Sequence, residues 1–158
     1  MGYYDRNGFP NILRNAEAPV FLDQNIRIMQ IVLGNLMWTT LVNGEGSTQL
    51  SSQPEGRKYL NNKYDYSSDY YSWWTLTDNI KDEIRAWRPA IVSLLMRNGE
   101  AGHAVVAHWF NGNDFYVNFG WWAASANATI TTDGNNFEEN GESWRIRRVD
   151  TVTIWDAI

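Results

Sequence analysis

Residues 88–121 read RPAIVSLLMRNGEAGHAVVAHWFNGNDFYVNFGW, and the period of their apolar positions decides the fold. After Pro89 that period falls to two, the signature of strands with one buried face. Ala90 to Met96 reads as a buried strand, Asn98 to Gly102 as a turn, and His103 to Phe110 as the next strand. Asn111-Gly112-Asn113 is a tight hairpin turn, with Asp114 to Phe119 as its partner strand. The three strands are expected to be sequential neighbours in an antiparallel sheet.

Outward from this block the pattern changes. Phe21, Leu22, Ile26, Met29, Val32, Leu33, Leu36, Met37 and Thr40 recur at three- and four-residue steps, which predicts an amphipathic helix to about Leu41. Gly34 lowers helix propensity there by about 1 kcal/mol relative to Ala, so a close packing contact is expected at that point. Asn43 to Ser47 reads as a loop. Pro54 sits near the start of a short helix, Glu55 to Asn62, and Thr77 with Asp78 opens another, Asn79 to Trp87, which Pro89 ends. Lys63 to Trp74 is dense in aromatic residues and its form is left open, while Ala128 to Thr132 and Ser143 to Trp155 are strand-like.

Helices first and strands afterwards predict an α+β fold, with N-terminal helices packed on a mostly antiparallel sheet of residues 89–155. Residues 1–19 read as an extended arm and residues 20–158 as a single α+β domain. The expected core is Ile28, Val32, Leu36, Ile80, Ile84, Ile91, Val92, Leu94, Val105, Phe115 and Val117.

Composition narrows the function classes. The 158 residues carry a net charge of −5, and the only basic cluster is Arg145, Arg147 and Arg148, so nucleic acid is an unfavoured partner. No apolar run reaches the roughly 18 residues of a membrane span, and no apolar leader follows Met1. Nine Trp, eight Tyr and six Phe, with abundant Asn, favour a secreted or surface-associated protein over a cytoplasmic one, with a protein partner, a second copy or a glycan as the bound species. The chain has no cysteine, which excludes disulfides, thiolate zinc sites and a cysteine nucleophile of its own. No cofactor or metal is expected.

Two histidines, His103 and His108, are the only side chains whose ordinary titration lies near neutrality. Five residues apart on one strand, they point to opposite faces and cannot share a metal. His103 follows Gly102 at the strand's start, where a side chain can reach a cleft, whereas His108 reads as a packed or surface residue. The carboxylate pairs Glu138-Glu139 and Asp78 with Asp82 read as solvated faces or helix-start charges. Asn43 to Ser47 lacks the lysine of a phosphate loop, and nothing places a base beside Ser47 or Thr48.

The segment from Ile80 to Trp121 resembles the C-terminal half of the streptopain-like branch of papain-fold cysteine peptidases. Arg88-Pro89-Ala90-Ile91-Val92 is similar to that family's "GRPV"-like strand. Gly102-His103-Ala104-Val105-Val106 is similar to its "GGHAFV"-like strand, and Tyr116-Val117-Asn118-Phe119-Gly120-Trp121 to its "YFHVNWGWGG"-like strand and turn. Met29 to Thr40, Gly44 to Ser47 and Leu60 to Tyr66 extend the likeness upstream, so that it spans roughly residues 26–131. It implies that His103 stands where the catalytic histidine would be, with Asn118 and Trp121 orienting and covering it. Phe119 replaces the first Trp of that stretch and Trp122 a glycine of the turn.

The departure that matters most lies upstream. The family's nucleophile is a cysteine at the start of a long helix within a "GCVATA"-like motif; here about thirty residues precede the second helix, and none is cysteine. Thiolate attack requires a thiolate. The resemblance therefore implies a catalytically inactive papain-like domain serving binding or assembly, in which His103, Asn118 and Trp121 are vestigial. Two other readings stay open: the C-terminal fragment of a split peptidase whose nucleophile is on another chain, and an unrelated α+β structural protein of a surface or viral assembly. The binding surface of first interest is Tyr70, Tyr71, Trp73 and Trp74.

Overall fold

The computed structural model describes residues 19–42, 45–64, 66–72, 75–99, 102–119, 128–139 and 141–154. All but the last residue of the expected 1–19 arm lies outside these. The chain divides into two compact units between Tyr66 and Ser67.

In the first unit, helix α1 runs Pro19–Leu36, a hairpin pairs β1 (Thr40–Val42) with β2 (Glu45–Ser47), and a 3-10 turn (Leu50–Ser52) leads into α2 (Gln53–Tyr64). The close approach expected at Gly34 falls at Gly56 instead. A Cβ on buried Gly56 would stand 2.9 Å from Met37 Sδ, whereas one on Gly34 would stand at an ordinary 3.7 Å from Thr39 Oγ1. Ile28 and Leu36, expected in the core, are exposed, and Val32 is half-buried.

The second unit overturns the expectation of helices packed on an open sheet. Strands β4 (Ala90–Met96), β5 (Gly102–Asn111), β6 (Asp114–Asn118), β7 (Ala128–Asp133) and β8 (Asn136–Glu139) form an up-and-down antiparallel run. The thirteen-residue β9 (Glu142–Ile154) then pairs with β8 on one side and β4 on the other. The result is a closed six-stranded antiparallel barrel, to which β3 (Tyr66–Tyr71) adds an edge by pairing with β9. The physical reason is the length and irregularity of β9: a register shift opposite Ser93 and Leu94 bends it enough to close the sheet on itself. The sequential neighbours β4, β5 and β6 are as expected.

Closure fixes which residues are buried. Val92, Leu94, Val105, Phe115, Val117, Ile130, Phe137, Trp144, Ile146 and Val149 fill the interior. Phe137 and Trp144 pair across strands with their rings stacked at 6.5 Å. Ile91, expected in this core, points outward instead, opposite Val106. The β5–β6 and β7–β8 hairpins have two-residue loops that begin with Gly112 and Gly134, at φ 62° and 57°. A primed turn needs that positive φ at its first position.

Helix α3 (Leu76–Arg85) packs on the barrel through Leu76, Ile80 and Ile84. Its first amide donates to Asn135 Oδ1 at 3.1 Å, and Lys81 Nζ reaches Asn113 Oδ1 at 3.3 Å. The helix is thereby tied to the two hairpin loops.

Helices α1 and α3 end alike. The Trp38 amide donates to Asn35 O and the Thr39 amide to Gly34 O; the Trp87 amide donates to Ile84 O and the Arg88 amide to Glu83 O. These are the paired bonds of a left-handed helix cap, whose central residue is ordinarily glycine. Here it is tryptophan both times, Trp38 at φ 55° and Trp87 at φ 59°.

Candidate functional site

His103 enters β5 opposite Leu94 of β4, on the side that the barrel interior shares. It is half-buried. Its ring stacks on Phe119 with centroids 5.8 Å apart and planes 11° from parallel, and its Nε2 lies 2.9 Å from Phe119 O. A carbonyl only accepts, so Nε2 carries the proton in this bond. That assignment leaves Nδ1 as the neutral ring's basic nitrogen.

Asn118 takes a different position. The β5–β6 register sets it against Val106, on the exposed outward side of β6, while buried Val117 and Phe119 face in. The Phe119 carbonyl thus holds His103 from the position where the resembled family has its first Trp. Trp121 lies outside the described residues. His108 falls at a register shift between Ala107 and Trp109 and is exposed. Among the described residues no group of three His, Asp or Glu side chains is gathered as a metal site would require.

The aromatic run expected as a binding surface is partly placed. Tyr70 and Tyr71 lie on edge strand β3, both exposed, and line an open cleft of about 330 Å³ with Asp69 and Ser72. Trp73 and Trp74 lie outside the described residues. Tyr70 also has a structural partner: its ring sits 4.3 Å from the Arg148 guanidinium carbon. Beneath it, Arg148 Nη2 and Nε donate to Asp150 Oδ1 at 2.6 and 3.0 Å, both residues being buried. The ring thus screens a desolvated ion pair, a favourable cation–π position. One tyrosine of the pair is partly committed to the fold.

The sequence reading missed two residues, Trp87 and Trp109. Trp87 is 74% exposed and Trp109 54% exposed. The sequence pattern places Trp87 at the end of the helix from Asn79 and Trp109 within a strand, and singles out neither. The register brings them to one rim of the barrel: Ala90 pairs with Ala107, so the chain that enters β4 from Trp87 runs beside the end of β5 that bears Trp109. The left-handed turn at Trp87 is over-determined. Arg88 Nε and Nη2 donate to Glu83 Oε2 and Oε1 at 2.7 and 2.9 Å, beside the backbone bond between the same two residues. With Glu83 buried, this bidentate clamp sets the direction of the chain on either side of Trp87.

Two comparisons with known proteins leave this geometry to stand by itself, since no family model matches the chain and no curated protein matches it.

Proposed function

We propose that the chain is a non-catalytic binding or assembly module, a relative of the streptopain-like peptidases that has kept a histidine without its nucleophile. The carrying observation is the combination at His103. The chain contains no cysteine, and the imidazole is engaged through Nε2 with a backbone carbonyl and stacked on Phe119. A general base for acyl transfer works on a nucleophile within hydrogen-bond reach, and this chain has no thiol to bring there. The histidine instead closes one end of the β5–β6 pair. Exposed Tyr71, on the strand that ends the described sheet order, is a surface through which such a module meets a protein partner or a second copy.

The test is turnover. Incubated with casein or a fluorogenic peptide, the chain should release product no faster than buffer. Turnover that His103→Ala abolishes would overturn the reading and demand a nucleophile other than cysteine.

A further inference from the structure

We infer that the barrel rim bearing Trp87 and Trp109 is a recognition site for a neutral carbohydrate. The first observation is a backbone that works against its own residue. A bulky side chain in the left-handed region is a genuine outlier, and glycine there would relieve it. Trp87 occupies that position yet leaves three-quarters of its surface in water, so the folded chain gains little from the indole itself. Strain held by surrounding bonds, at a residue the core does not use, is characteristic of contact sites.

The chemistry of the surroundings selects the ligand. Outward from Trp109 the register sets Tyr116 opposite it, Asn118 opposite Val106, and Val106 opposite Ile91. Strands β4, β5 and β6 together carry one Asp, Glu, Lys or Arg side chain, Asp114, which accepts from Thr131 Oγ1 at 2.6 Å. The arginines flanking Trp87 are each paired, Arg85 with Asp82 and Arg88 with Glu83. In a chain of net charge −5 the outward side of these three strands therefore offers aromatic rings and neutral hydrogen-bonding groups. Sugar rings need such a surface: their weakly positive C–H faces stack on the negative face of an indole, and their hydroxyls bond to neutral polar groups.

Area and topology both argue against the competing occupants. The exposed parts of Trp87, Trp109, Ile91 and Val106 amount to roughly 400 Å², about half of the roughly 800 Å² that each partner of a stable protein pair buries. Strands β4, β5 and β6 each have both edges paired within the barrel, so a peptide cannot add there as a strand. A short neutral glycan fits both limits. The inference rests on the reading of the chain as a binding module and adds a ligand class to it.

The experiment is native affinity electrophoresis of the full chain in gels containing hydroxyethylcellulose, glycogen or galactomannan, with heparin as the charged comparator. At least one neutral polymer should retard the protein, equally at low salt and in 0.5 M salt. Trp87→Gly and Trp109→Ala, each checked for native circular dichroism, should weaken that retardation at least tenfold, and Trp38→Gly, which removes an equally exposed indole from the other left-handed cap, should leave it unchanged. Retardation by none of the neutral polymers overturns the site, as does equal retardation of both tryptophan variants. So does a concentration-dependent dimer that Trp109→Ala dissolves, which would make a second copy the occupant. None of these outcomes alters the turnover result, and turnover would overturn the non-catalytic reading whichever way the gels run.

Discussion

Replacing Trp87 separates what its backbone costs from what its ring contributes. Trp87→Ala and Trp87→Gly remove the same indole, so the lost contacts cancel between them and the left-handed conformation remains. A Cβ in that conformation costs roughly 1–2 kcal/mol, and the extra freedom of glycine in the unfolded chain returns roughly 0.5–1 kcal/mol. The glycine variant should therefore be more stable than the alanine variant by about 0.5–1 kcal/mol. For a unit of this size that is a difference in Tm of about 2–8 °C. One residue earlier the sign reverses: Ala86 has φ −82°, so Ala86→Gly should lose about 0.5–1 kcal/mol. Urea and thermal unfolding followed by circular dichroism measure all three variants. A glycine variant no more stable than the alanine one would refute the claim that Trp87 is held in a strained turn.

Two further substitutions probe the groups around the site. Arg88→Ala removes the partner of buried Glu83 and should destabilise by about 2–4 kcal/mol, read as a lower urea midpoint at an unchanged slope. His103→Ala loses the bond to Phe119 O and the stacked ring, so it should cost about 1–2 kcal/mol in the same assay. Its background hydrolysis of peptide should match that of the parent chain.

The strand block was legible because local signals set it. Ala90–Met96 is bounded as the alternation and Pro89 predict, and the Gly112 turn fixes the β5–β6 register. Barrel closure was not legible. It depends on β9 reaching both β8 and β4 through a register shift, and no periodicity within a window of ten residues carries that information. β8 was missed because it is four residues long. Both helix ends overran, to Leu41 instead of Leu36 and to Trp87 instead of Arg85, for one shared reason. The expected stop signal is glycine, and a tryptophan in its place gives none. The same substitution hid the candidate site, since Trp87 reads as one more helical position. His103 was found through its setting after Gly102, but its partner is a main-chain carbonyl, which no side-chain pattern can reveal.

The single strand that seals the barrel also sets the order in which it can form. β4 through β9 are successive and can zip by hairpins, each step joining segments near in sequence. The last step joins β9 to β4, and its contact between Ile91 and Asp150 spans most of the unit. Until it occurs, the open sheet exposes the edge of β4 and the matching edge of β9 together with the side chains that later become the interior. That species is sticky on two sides, and a β9 from a neighbouring molecule satisfies β4 as well as its own does. Refolding at high concentration is therefore where strand-exchanged dimers of this chain should accumulate, while dilution should return the closed monomeric barrel.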